Sequence, residues 1–221
     1  MAYRYIHACI TSDVRTINLL NVATLTMILV LSMVIQGSLQ NVYAVEKINT
    51  IKVSPRPIHV TLPGGQEVTV FHIFIVYTQK QQQQQQEQPN DKDYVCQGFP
   101  YDPATGQIAR DSDLPLNLPS PFLLKGRCIP FESDNRDYPF RQLPSTTVVS
   151  GDNSKDVYKC FVKVTEKIND AKIPYALLAY NSNSYARAIL DNCHVPGGDS
   201  RLPPGVIPQL APGWSLGSGL P

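Results

Sequence analysis

The strongest run of apolar positions after the N-terminal region is EVTVFHIFIVYTQ, residues 67–79. It is β-branched and aromatic with almost no polar break. That is the pattern of a strand buried on both faces, not of one that alternates toward water. The preceding segment, 45–63, predicts a weaker strand. Pro55 and Pro57 interrupt it, which places it at a sheet edge, and LPGG at 62–65 makes the turn that follows. DYVCQGF, 93–99, predicts a return strand. FLLKGRCIPF, 122–131, predicts one more inside the Pro- and turn-rich stretch 100–145.

The period then changes. In SGDNSKDVYKCFVKVTEKIND, Val157, Phe161, Val164 and Ile168 recur at i, i+4, i+7 and i+11, one apolar stripe of a helix that Asn153 or Ser154 caps. A short extended connection, 173–179, leads to a second helix from Ser182 to Asn192. Tyr185, Ile189 and Cys193 lie on one side of it, and VPGG ends it. Strands first and helices afterwards predict an α+β domain, a small antiparallel sheet packed against helices. The Pro/Gly-rich tail, 195–221, holds the only tryptophan, Trp214 in APGW, which is expected to pack back on the domain.

The N-terminus stands apart from this pattern. Residues 17–35 carry no charge, Arg4 and Arg15 lie upstream, and Val42 and Ala44 occupy the −3 and −1 positions of a cleavage site. Residues 1–44 therefore read as a secretory signal peptide, the rival being an uncleaved N-terminal membrane anchor. Either way residues 45–221 form a single exported domain, periplasmic or extracellular. A low-complexity glutamine loop, 80–92, extends one hairpin of it.

Of 19 Lys and Arg, two precede residue 45. Of 18 Asp and Glu, one does. The domain thus has 17 of each and no net charge. That balance argues against a nucleic-acid partner or a polybasic membrane patch, and leaves membrane association to an uncleaved N-terminal segment.

Cys96, Cys128, Cys160 and Cys193 remain after the leader, an even number that suits two disulfides in an oxidising compartment. Three connectivities exist, and the expected one is Cys96–Cys128 with Cys160–Cys193. Each bond would close a loop of about thirty residues, worth roughly 3–4 kcal/mol in the chain-entropy model. The cysteines lack metal-site spacing, so no metal is expected, and no motif implies a cofactor.

Two positions have candidate chemistry. His72 interrupts the buried strand, and a polar ring there needs a hydrogen-bond partner or costs about 1–3 kcal/mol. A satisfied core histidine is the plain explanation. Asn181-Ser182-Asn183-Ser184 opens the second helix. There the plain explanation is capping, yet helix-start amides also stabilise a developing anion. A serine nucleophile needs a base, and His72 is the candidate. Gln97 or Tyr94 on the return strand could orient that base.

FHIFIVYTQ, the return strand and then YNSNSYARAIL about a hundred residues later resemble the permuted papain-like fold of lecithin:retinol acyltransferase-type and related thiol hydrolase domains. In that group a strand histidine precedes a cysteine that starts a later helix, in a pattern like Asn-Cys-x-x-Phe-[Val/Ala]. Laid on this chain, His72 matches the base, Asn181 the Asn, Tyr185 the aromatic and Ala186 the small residue. Ser182 stands where the cysteine should be. H-x-F-I-V-Y-T, N-S-N-S-Y-A and A-P-G-W together also resemble a set of bacterial domains of similar layout, over most of residues 45–221.

The resemblance implies a catalytic pair, Ser182 and His72, with Asn181, Asn183 and Ser184 lining the site and its oxyanion hole. The reaction would be hydrolysis or acyl transfer at amide or ester bonds of a peptide, cell-wall or lipid substrate. Serine is a poorer nucleophile than cysteine at neutral pH. A catalytically inactive binding or structural domain on the same fold is therefore the alternative expectation.

Overall fold

The computed structural model describes residues 48–61, 64–80, 92–109, 114–116 and 118–221. Residues 1–44, read from the sequence as a signal peptide or anchor, and nearly all of the glutamine loop lie outside these residues.

Six antiparallel strands form one sheet: β1 (Thr50–Thr61), β2 (Glu67–Gln79), β3 (Lys92–Asp102), β4 (Gln107–Ile108), β5 (Leu123–Pro130) and β6 (Thr146–Ser150). Their order is β4-β3-β2-β1-β6, with β5 paired to β3. Two α-helices follow, α1 (Asn153–Asp170) and α2 (Ser182–Asn192), and the tail winds through short 3-10 turns. The fold is α+β.

β2 is covered on both sides, as its unbroken apolar run requires. Ile73, Ile75 and Tyr77 face the helices and join a core with Phe161, Ile168, Tyr185 and Ile189. Phe74 and Val76 point the other way, onto Val95 and Phe131, with Tyr138 and Phe140 at the margin. Segment 131–140 thus forms a cover over the sheet face opposite the helices. The turn-rich stretch that contains it predicts no such layer.

β1 corrects the edge assignment in part. Its first third is flanked on both sides, because Thr50–Val53 pair with β6, a strand the sequence pattern does not reveal. Pro55 and Pro57 lie beyond that pairing, where β1 has β2 alone beside it, so their missing N–H groups break no ladder. The cap of α1 also differs from expectation. Asp152 is the cap residue, without a side-chain bond. Ser154 is buried instead and donates its hydroxyl to the Asn49 carbonyl.

Both expected disulfides are formed, Cys96–Cys128 between facing residues of β3 and β5, and Cys160–Cys193 between α1 and the end of α2. Trp214 is fully buried and donates its indole N–H to Asp199 at 3.0 Å. No described helix is long and apolar enough to cross a membrane.

One departure from a regular sheet positions everything that follows. β3 pairs with β2 only from Ile75 to Gln79. Beyond Cys96, β3 pairs with β5 and not with β2, so the sheet opens between His72 and Gln97. The N-terminus of α2 fills the opening.

Candidate active site

The helix end is tied into the split by Asn183. Its Oδ1 accepts the Ile73 N–H at 2.7 Å, and its Nδ2 donates to the Phe71 carbonyl at 2.9 Å. These are backbone groups of β2 that a continuing β3 would have satisfied. The side-chain amide of Asn183 therefore replaces a missing strand and fixes where the helix begins.

Two glycines make room for it. A Cβ on Gly98 would stand 2.7 Å from Tyr185 Cβ and 2.9 Å from Ser182 Cα, closer than atoms pack. One on Gly126 would stand 2.6 Å from Tyr185 Cζ. The Tyr185 ring fills the space above both strands. Its hydroxyl pairs with Thr165 Oγ1 at 2.6 Å, and burial pushes the phenol far above its ordinary pKa.

Asn181 caps α2. Its Oδ1 accepts from the amides of Asn183 and Ser184, and Ser184 Oγ accepts from the Asn181 amide, a reciprocal capping box. The APGW turn completes the cap. The Pro212 carbonyl accepts from both Asn181 Nδ2 at 2.8 Å and Asn183 Nδ2 at 3.0 Å. Gly213 sits at φ +81°, and a side chain there would strike Asn181.

Ser182 is the first helical residue, and its hydroxyl lies 2.7 Å from His72 Nδ1. The other ring nitrogen, Nε2, lies 3.2 Å from Asp137 Oδ2. Asp137 is fully buried in the cover segment, and Arg56 Nε donates to its second oxygen at 2.6 Å. Arg56 and His72 are facing residues of β1 and β2. Burial raises the Asp137 pKa, but His72 and Arg56 outweigh that and hold the carboxyl below the usual carboxylate value. An ionised Asp137 is acceptor-only, so the imidazole proton belongs on Nε2. The Nδ1 lone pair then accepts the Ser182 O–H.

Several expected roles change. Neither Gln97 nor Tyr94 orients His72. Gln97 points to the cover-segment side, but its amide donates to Asp134 Oδ2. Tyr94 points to the helix side and packs with Tyr77 and Tyr158. Asp137 is the orienting group. The side chains of Asn181, Asn183 and Ser184 are all committed to the cap and the sheet, and Ser184, fully buried, does not line the cavity. The amides of Asn183 and Ser184 are likewise taken by Asn181, so neither is left over to hold an oxyanion.

Sequence reasoning missed Asp137 and Arg56. ESDNRDYPF falls within the Pro- and turn-rich stretch 100–145, where no site residue is expected. The only hint is its paired aspartates. Asp134 accepts the Arg136 amide at 3.0 Å and so shapes the turn that carries Asp137 inward.

The pair is recessed, with His72 5% and Ser182 7% exposed, at the floor of an open cavity of about 580 Å³. Compared with protein-family models, curated proteins and solved structures, the chain matches none.

Proposed function

We propose that this chain is a serine hydrolase or acyltransferase of permuted papain-like architecture, acting on amide or ester bonds. The observation that carries the reading is the hydrogen-bonded series Ser182–His72–Asp137 at a helix N-terminus under an open cavity. Ser182 Oγ attacks the carbonyl carbon while its proton passes to His72 Nδ1. The Ser182 amide and the helix end hold the resulting oxyanion. His72 returns the proton to the leaving group as the carbon–heteroatom bond breaks, giving an acyl-serine. Water or an alcohol, deprotonated by the same nitrogen, releases it. Asp137 stays ionised and steadies the imidazolium, with Arg56 balancing its charge.

The serine at the position of the family's cysteine is the departure that this series answers, since an oriented base supplies what the higher pKa of a hydroxyl denies. Export of the domain is part of the proposal. The two disulfides are compatible with it. A catalytically silent domain is the competing reading. The near-complete burial of Ser182 and His72 favours it, because a satisfied polar network can serve the fold alone.

A fluorophosphonate probe with intact-mass and peptide mapping decides between them. One adduct at Ser182, absent in Ser182→Ala and in His72→Ala, is expected. A folded wild-type chain that takes no label would overturn the catalytic reading.

A further inference from the structure

The cavity over Ser182 has a chemistry that narrows the substrate, and the inference rests on the reading of Ser182 as nucleophile. Its walls are largely apolar, with Ile58 and Val60 from β1, Val70 from β2, Phe99 from β3 and the later Leu114 and Leu177. Its charged lining residues are basic: Arg56 and Arg136, with His59 nearby. Among the described lining residues none is an aspartate or glutamate. Asp137 lies behind the floor, sequestered by His72 and Arg56.

Arg56 is the informative member. A guanidinium carries five N–H donors in a planar fork. Nε is spent on Asp137 Oδ1 at 2.6 Å, while the side chain lines the cavity and is 14% exposed. The same arginine therefore buttresses the triad through Nε and also belongs to the cavity lining. In an apolar enclosure a purely apolar ligand would strip water from guanidinium donors and return nothing, and a neutral carbonyl would return only part of the loss. An anion repays them with charge-assisted hydrogen bonds.

We propose that the substrate is an apolar acyl compound that carries an anionic group, carboxylate or phosphate, and that Arg56 binds that group while the scissile carbonyl lies at Ser182. Arg56 is then a substrate-binding residue as well as the partner of Asp137. Occupancy of its outer edge by substrate fixes the guanidinium against Asp137, so recognition and orientation of the base are coupled.

Binding to the full-length Ser182→Ala chain, followed by calorimetry, tests this without turnover. Three probes share one chain length: the monomethyl ester of suberic acid, its dimethyl ester, and methyl octanoate carrying a terminal phosphate. At least one anionic probe is expected to bind about tenfold or more tighter than the neutral diester, as charged hydrogen bonds of this kind provide. The tighter of the two anions identifies the source. Adding Arg56→Gln should bring the ratio close to one. Arg56→Lys, which keeps the charge toward Asp137, should retain only part of the ratio.

Equal binding of diester and anions overturns the inference, as does a ratio untouched by either arginine variant. Fluorophosphonate labelling of the wild type reads the underlying function separately. Labelling without anion selectivity removes this inference alone. Anion selectivity without labelling removes the nucleophile and leaves the ligand class standing.

Discussion

Ser182 Oγ and His72 Nδ1 stand 2.7 Å apart across 110 residues of chain. A hydroxyl there is activated only if His72 takes its proton. Ser182→Cys examines that transfer directly, because a thiol beside an imidazole and at a helix N-terminus favours the thiolate. Cys96, Cys128, Cys160 and Cys193 are all bonded, so the new thiol is the only free one among the described residues. Iodoacetamide should alkylate it at neutral pH faster than it alkylates free cysteine. Adding His72→Ala should remove the advantage, and a rate equal to that of free cysteine would exclude His72 as a base.

Asn183→Ala should destabilise the fold more than an ordinary helix-start substitution. It strands the Ile73 amide and the Phe71 carbonyl inside the split, and each orphaned buried group costs about 1–3 kcal/mol. Urea unfolding should report a loss of about 2–4 kcal/mol. A loss below about 1 kcal/mol would mean that the amide does not stand in for a strand.

Gly98→Ala should act on the site from the sheet side. The added methyl meets the Ser182 backbone and the root of the Tyr185 side chain, where no flexible side-chain end can yield. Overpacking of this kind costs about 1–3 kcal/mol. Because the obstruction displaces Ser182 from its place against His72, probe labelling should fall further than the melting temperature predicts. Full labelling at reduced stability would contradict the positioning role.

Asp137 links stability to acid. Its carboxyl ionises below the value of an unfolded aspartate, about 3.9. The carboxylate therefore stabilises the fold fully above that value, and the contribution is lost as pH falls through the lower folded value. In urea titrations from pH 7 down to pH 3, Asp137→Asn should start less stable, since Arg56 loses its counter-charge. It should then lose less than the wild type over the acid part of the range. Parallel acid limbs would show that another group carries the acid sensitivity.

The reach of the sequence follows what each signal depends on. β2 and the boundaries of α2 are legible because burial on both faces and a polar cap are local signatures. His72 is legible as a polar anomaly in a buried strand, and Ser182 through the resemblance that sets it opposite that histidine. Asp137 is not. Its burial depends on Phe131, Tyr138 and Phe140 packing against the far side of the sheet, a tertiary event with no periodic trace in ESDNRDYPF. Gln97 misleads for a related reason. Its place on the return strand is right and its direction is right, but Asp134, invisible from sequence, claims its amide. The short strand β6 escapes because five residues between turns carry too little pattern to separate strand from loop.

The opening in the sheet has a consequence for timing. His72 is 65 residues from Asp137 and 110 from Ser182, and what brings them together is a helix end seated between two diverging strands and a cover segment packed on the sheet. No fragment can rehearse this arrangement, and closing such long loops is a late event for a chain. Competence to react with a probe should return during refolding only with the final cooperative step, and vanish on heating together with the fold. A chain kept unfolded, whether during synthesis or while threading a pore, carries no working nucleophile.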